Sequence, residues 1–366
     1  MQDNFIEDCK RLCRPETFQK KIINWYHEHG RKQLPWQVTA TPYHVWVSEV
    51  MLQQTQVTTV IDYFQRFIQR FPDIQTLAQS SQDDVLEVWS GLGYYSRARN
   101  LHQTAQIIVD DYSGEFPQDL ESLISLPGIG RSTAGAILAL AMNKPAAILD
   151  GNVKRVLARV FNVEGWPGKT AVAKQLWAIS EAYTSQNQPR AFVQGMMDLG
   201  AMVCTKQQPQ CSACPLQNEC QAYQLDKQAN LPGKKPPKKR PTRYRYMLIL
   251  IDTDKQVLLE KRPPTGIWGG LWSLPELENP QHDDSIQAYI RQSLGLECLS
   301  LTHLETLTHQ FTHYELIIYP VVVQTQPNQY KVAESNTIWQ PIYQITVGLP
   351  QPVKQLLQQL KDQYYG

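Results

Sequence analysis

Among the residues able to do chemistry, the cysteines are the most tightly grouped. Cys204, Cys211, Cys214 and Cys220 follow the spacing C-x6-C-x2-C-x5-C, while Cys9, Cys13 and Cys298 are scattered. Seven cysteines, behind an N-terminus charged throughout and without a signal-peptide core, argue for a metal site rather than a disulfide framework. Zinc knuckles usually pair two C-x2-C units, and only one such unit occurs here. The uneven spacing favours a cubane iron–sulfur cluster, with zinc as the alternative.

Two carboxylates invite a second kind of chemistry. Asp150 follows Ile148-Leu149 and precedes the amphipathic run Val153–Val160, which is the place of a helix N-cap. Many such aspartates only cap. One at a helix N-terminus also ionises readily and could stabilise an oxocarbenium-like sugar cation. Glu49 lies in Val45-Trp46-Val47-Ser48-Glu49-Val50-Met51-Leu52. By pattern alone an exposed helix-face glutamate is the plainer reading. If buried among those apolar neighbours it would have a raised pKa and could serve as a general acid. Upstream of Asp150, Leu126-Pro127-Gly128-Ile129-Gly130 joins two helical stretches. Gly128 and Gly130 permit a tight turn that exposes backbone N–H groups at the start of the next helix, suited to a phosphate or to an ordinary helix–helix turn.

The elements that must position these groups follow from periodicity. Helical spacing runs from Val47 to Ile68, and again at Asp83–Trp89, Arg97–Val109, Leu120–Ser125, Ser132–Met142, Val153–Val160, Ala171–Tyr183 and Arg190–Val203. Tyr246–Ile251, Gln256–Glu260, Leu316–Val323 and Thr337–Trp339 have strand composition, and Ser285–Leu294 and Val353–Gln363 are helical. The expected organisation is a mostly α domain over 1–225, a basic Pro-rich linker over 226–245 and an α+β module over 246–366. Charge follows the same division. Residues 1–225 carry 20 basic and 21 acidic side chains, residues 226–245 carry 8 and 1, and residues 246–366 carry 7 and 12. A net charge of +1 excludes a DNA-coating protein, but a local basic stripe can still meet phosphate. No apolar run reaches the length of a membrane span, so a cytoplasmic, nucleoid-associated monomer with no membrane partner is expected.

Leu126–Gly130, Asp150 and the four cysteines together resemble the helix-hairpin-helix, iron–sulfur DNA glycosylases typified by endonuclease III, over essentially all of residues 20–225. Three segments resemble the adenine DNA glycosylases of the MutY type more particularly. They are Trp46-Val-Ser-Glu-Val-Met-Leu-Gln-Gln-Thr-Gln56, Gly91-Leu-Gly-Tyr-Tyr-Ser-Arg-Ala-Arg-Asn100 and Leu149-Asp-Gly-Asn-Val-Lys-Arg-Val-Leu-Ala-Arg159. The resemblance implies a helix-hairpin-helix at about 120–142 and one 4Fe–4S cluster in the 204–220 loop. It implies a partner too: double-stranded DNA with adenine opposite 8-oxoguanine or guanine. Glu49 would protonate adenine N7, Asp150 would stabilise the sugar cation, with a covalent intermediate as one route, and Asn152 would orient the carboxylates. Gln54 and Tyr94 would enter the base stack beside the oxidised guanine. Arg31, Trp36, Leu52, Val57 and Gln194 would surround the flipped adenine. Ser132 stands where bifunctional relatives have a lysine; serine cannot form an imine, so a monofunctional enzyme is implied.

Residues 246–366 resemble the Nudix-like domain of those glycosylases. Gly270-x5-Glu276 has the opening of a Nudix box, but Asp283–Ile290 lacks the glutamates that hold Mg²⁺, so no Mg-dependent Nudix chemistry is expected. His309-Gln-Phe-Thr-His313 matches the family's lesion reader, with Thr312 in place of serine, flanked by Phe311 and His313. Thr312 keeps the hydroxyl that can both donate and accept. Two other readings compete. One is a relative that removes thymine or oxidised pyrimidines, against which Ser132 and the C-terminal module speak. The other is a catalytically silent DNA-binding protein, against which Glu49 and Asp150 speak.

Overall fold

A computed structural model describes residues 2–236, 240–278, 280, 282–326 and 336–364, apart from the side chains of residues 2, 3, 363 and 364. Residues 237–239 of the basic run lie outside the described residues. The chain forms two compact units, one from Met1–Gln79 with Asn100–Pro237, the other from Ser80–Arg99 with Lys238–Gly366. The second unit therefore takes a short excursion out of the helical half of the sequence. No described helix is long and apolar enough to cross a membrane.

The helices in chain order are α1 Gln2–Leu12, α2 Pro15–His29, α3 Pro35–Val38, α4 Pro42–Leu52, α5 Val57–Arg70, α6 Ile74–Gln79, α7 Gln82–Trp89 and α8 Ser96–Tyr112. They continue with α9 Leu120–Ser125, α10 Arg131–Ala136, α11 Gly151–Val160, α12 Thr170–Tyr183, α13 Pro189–Met202, α14 Gln221–Gln224, α15 Asp283–Ser293 and α16 Gln351–Tyr364. The strands are β1 Thr242–Ile251, β2 Gln256–Lys261, β3 Trp272–Ser273, β4 Glu276–Leu277, β5 Cys298–His303, β6 Leu307–Gln310, β7 Glu315–Thr325 and β8 Thr337–Pro341.

In the first unit α13 packs against α2 and α11. Phe18 of α2 anchors this core against Tyr183, with ring centroids 5.1 Å apart, and against Phe161 at 6.0 Å. Two expected helices differ from their periodicity. The Val47–Ile68 run is broken into α4 and α5 by a turn at Gln53–Gln56, with Gln54 in the left-handed region at φ 61°. The apolar spacing carries on across the turn, and no glycine or proline marks it, so periodicity alone reads one helix. The Ser132–Met142 stretch opens as α10 and widens into a π-helical turn at Ile137–Ala141.

The first part of the basic run is not free chain. Leu231 is buried, its carbonyl accepts from Arg159 Nε at 2.9 Å, and the Gly233 N–H donates to the Gly165 carbonyl at 3.0 Å.

The second unit is a mixed sheet in the order β3-β2-β1-β7-β5, with β8 beside β2, β4 beside β1 and β6 beside β7. β1 and β7 run parallel from Thr242↔Glu315 to Ile251↔Gln324. Alternate residues Leu248, Leu250, Val321 and Val323 share one face, and Ile286 and Ile290 of α15 close the core over it. The excursion Ser80–Arg99 packs in the same unit. Ser90 Oγ donates to the Leu349 carbonyl at 2.7 Å, and Lys261 Nζ lies 2.9 Å from Asp83.

Candidate active site

A cavity of about 710 Å³ opens in the first unit, a size suited to a nucleobase with its sugar. Ten of the residues marked out in the sequence line it: Arg31, Trp36, Glu49, Leu52, Gln54, Val57, Ser132, Asp150, Asn152 and Gln194. Gly128 and Gly130 are not among the lining residues. Gly128 sits at φ 77° with Asn100 packed against its α-carbon, and Gly130 caps α10, the helix that carries Ser132.

Glu49 reaches the cavity because α4 is buried on nearly every side. Tyr43, Val45, Trp46, Val47, Ser48, Val50 and Met51 are all buried, so the one acid on this helix has only the cavity to face. Loss of solvent pushes its carboxyl up to about 8, and the Asp150 charge adds to the shift. The plainer reading of Glu49 as an exposed helix-face acid is thereby replaced. Asp150 caps α11 as its sequence position implies. Its Oδ1 accepts the Val153 N–H at 2.7 Å, and its Oδ2 accepts Asn152 Nδ2 at 3.0 Å. Ready ionisation was expected from the helix terminus. Burial instead moves this carboxyl upward, opposed by the Val153 and Asn152 donors and by Arg155. Asp150 thus has donors that favour its anion, and Glu49 has no hydrogen-bond partner among the described residues. A proton shared by the pair rests on Glu49.

Several supports carry no sequence signal. Ser132 Oγ accepts the Leu149 N–H at 3.0 Å, and Ser180 Oγ donates to the Ile148 carbonyl at 2.7 Å, so two serines hold both sides of the one peptide unit between Ile148 and Leu149. Arg155 Nη2 donates to Asn152 Oδ1 at 2.9 Å and to the Gly200 carbonyl at 2.7 Å. Asp198, fully buried, takes a fork from Arg31 Nε at 2.9 Å and Nη2 at 2.6 Å, and accepts Gln194 Nε2 at 3.1 Å. Gln194 meets Asp198 one turn along α13, and the fold brings Arg31 beside the same acid.

The four clustered cysteines line one small cavity with Arg159 and Leu199. None is in a disulfide, and Arg159 Nη1 donates to Cys204 Sγ at 3.3 Å. Among the described residues no three His, Cys, Asp or Glu side chains converge on a point that could hold a single metal ion. Thiolates around one zinc stand about 2.3 Å from the metal and therefore crowd together. Four thiols that line one cavity, none of them in a disulfide, are the donor set of a cysteine-ligated metal centre.

The remaining site residues lie in the second unit. Tyr94, at φ 49°, places its hydroxyl 2.9 Å from Thr312 Oγ1. Thr312 and His313 are exposed at the turn between β6 and β7. Phe311 beneath them is held by Trp268, His309 and Tyr314, with ring centroids at 5.2, 4.6 and 4.6 Å. Trp268 was not marked out in the sequence, though it stands two residues before the Gly270-x5-Glu276 segment that was.

Residues 47–182 match the family model described as HhH-GPD superfamily base excision DNA repair protein, and residues 246–359 match that of the NUDIX domain. An adenine DNA glycosylase of Buchnera aphidicola subsp. Baizongia pistaciae is 39% identical over 346 residues, covering 94% of this chain and 97% of that one. The chain belongs to the adenine DNA glycosylase family. A mouse adenine DNA glycosylase is 35% identical, over 85% of this chain and 72% of its own. A thermostable thymine-DNA glycosylase of known structure is 26% identical with a TM-score of 0.52, covering 58% of this chain and 97% of that one. As an adenine glycosylase the chain is a base-excision repair enzyme, a hydrolase of N-glycosyl bonds that removes adenine. Its helical HhH-GPD part and its Nudix-like α+β part are the architecture the sequence implies.

Proposed function

We propose that this adenine glycosylase acts on duplex DNA in which adenine faces 8-oxoguanine or guanine, and that it releases the base without cutting the strand. The observation that carries the chemistry is the pair of carboxyls in one cavity, Glu49 pushed up to about 8 and Asp150 held by anion-favouring donors. At neutral pH Glu49 keeps its proton and delivers it to adenine N7, which turns the base into a better leaving group. Asp150 and its Asn152 partner face the sugar cation that develops as the N-glycosyl bond lengthens. Arg31, Trp36, Leu52, Val57 and Gln194 hold the flipped base.

The monofunctional outcome is supported by the side chains around the base. Ser132 lines the cavity with its oxygen engaged by the Leu149 N–H, and among the described lining residues there is no lysine to attack C1′. The choice of opposite base is assigned to Tyr94, Thr312 and His313, and Gln54 is assigned to the base stack. The Gly128–Gly130 turn and the basic run carry phosphate contacts. Cys204, Cys211, Cys214 and Cys220 would hold one 4Fe–4S cluster, whose chemistry here is structural, tying the 204–220 loop to α11.

The deciding experiment is excision from duplexes carrying adenine opposite 8-oxoguanine, guanine or thymine, with strands resolved before and after alkali. Alkali-dependent breaks in the adenine strand, fastest opposite 8-oxoguanine, are expected. Strand breaks without alkali, or a strong borohydride-trapped adduct, would overturn the monofunctional part. Equal rates opposite guanine and 8-oxoguanine would overturn the recognition part.

A further inference from the structure

Tyr94 and Thr312 are more than two hundred residues apart in the chain, yet their hydroxyls meet at 2.9 Å. That distance leaves little slack, since it stands near the long end of the usual O–H···O range, which closes at about 3.0 Å. Tyr94 belongs to the Ser80–Arg99 excursion, and Thr312 to the hairpin between β6 and β7. Nothing local to either segment can set their separation, so the contacts that dock the excursion on the sheet must set it.

Several of those contacts are specific. Ser90 Oγ, fully inside the unit, donates to the Leu349 carbonyl at 2.7 Å. Lys261 on β2 pairs with Asp83 on α7 at 2.9 Å. Gly348 brings its backbone so close to α7 that an added Cβ would stand 3.0 Å from the Leu86 carbonyl group. Arg99 donates to the Gly269 carbonyl, in the loop whose Trp268 packs at a tilt against Phe311 of the hairpin. The same body therefore holds both sides of the Tyr94–Thr312 contact.

We propose that Ser90, Lys261 and Gly348 are positioning residues for the choice of opposite base: they fix Tyr94 against Thr312 and so set the preference for 8-oxoguanine over guanine. The inference rests on the assignment of Tyr94 and Thr312 to opposite-base recognition. None of the three touches the cavity that holds Glu49 and Asp150, so excision of adenine opposite guanine should be nearly untouched when they change.

The test uses the full chain and single-turnover excision from two duplexes, adenine opposite 8-oxoguanine and adenine opposite guanine. For Ser90→Ala and Gly348→Ala the ratio of the two rates should fall by about 3- to 10-fold, the effect of one hydrogen bond lost or displaced. The rate opposite guanine should stay within about 2-fold, a span set by a few tenths of a kcal/mol. Ser90→Thr, which keeps the hydroxyl, should restore most of the ratio. Lys261→Gln, at a partly exposed position tolerant of change, should lower the ratio in the same direction by less, and Lys261→Arg should not. In a Thr312→Ala background Ser90→Ala should add no further loss, because its effect passes through Thr312. A high wild-type ratio that Ser90→Ala, Gly348→Ala and Lys261→Gln all retain overturns the inference alone. A wild-type ratio near one overturns the assignment of Tyr94 and Thr312, and the inference falls with it.

Discussion

The cavity of the first unit and the β6–β7 hairpin of the second handle a base by opposite means. Glu49, the proposed acid, is walled in: α4 is buried around it, and burial together with the Asp150 charge raises its carboxyl. Thr312 and His313, the proposed readers of the opposite base, are exposed, on a turn whose Phe311 packs against Trp268 and Tyr314. Proton delivery needs a displaced pKa, which only desolvation or a like charge supplies. Recognition of a base edge needs free hydroxyl and ring edges whose positions, not charges, are fixed. The difference teaches that substitutions in the two regions should be read by different assays, rate in the first and discrimination in the second.

The largest test of that division is Glu49→Gln. Excision should drop by about 10²- to 10⁴-fold, the usual weight of a general acid, while DNA affinity measured by anisotropy stays close to wild type. Retained excision would show that the proton comes from elsewhere. Asp150→Asn should cost a comparable factor, and it sharpens the comparison further. Without the Asp150 charge, one of the two causes that raise Glu49 is gone, so the Glu49 carboxyl should titrate lower, a shift readable by NMR of ¹³C-labelled glutamate. A Glu49 titration left in place by Asp150→Asn would mean the two acids do not sense each other.

The pH dependence of the wild type follows from the same sign. Glu49 is protonated below about 8 and loses its proton above it. Single-turnover excision should hold through neutral pH and fall as pH rises through about 8, with the alkaline limb absent from the DNA-affinity profile. A limb present in both would place the titration on the binding side.

Smaller effects belong to the supports and to the reader. Ser132→Ala leaves the Leu149 N–H without its acceptor beside Asp150. The excision rate should fall by about 3- to 10-fold with affinity unchanged, and Ser132→Thr should recover it. Thr312→Ala with His313→Ala should cut the preference for 8-oxoguanine over guanine by about 10-fold, the order of one or two hydrogen bonds, and barely change excision opposite guanine. Loss of excision on both duplexes alike would erase the distinction between the regions.

Much of this was legible in the residues. α7, α9, α11, α12 and α13 follow their apolar spacing to within about two residues, because apolar residues recur at the helical period along each. The Asp150 cap was readable because the local geometry of a helix N-terminus favours such a residue. What was not readable came from tertiary contact. The turn at Gln53–Gln56 interrupts a run whose apolar positions continue in phase. Ser180, Arg155 and Asp198 are polar residues inside helices, where sequence gives no sign of which carbonyl or guanidinium they will meet. The upward shift of Asp150 was misjudged because a helix terminus is visible in sequence and the depth of its burial is not. The departure of Ser80–Arg99 into the second unit has no compositional mark at all.

Gln54 shows where such a fold keeps a trade-off. A residue with a Cβ at φ 61° costs on the order of 1 kcal/mol over the same turn built from glycine. Gln54→Gly would give a chain that melts later, yet it would strip the amide that lines the cavity mouth between α4 and α5. Selection for robustness alone would have removed this glutamine; its presence ranks capacity at that point of the chain above durability.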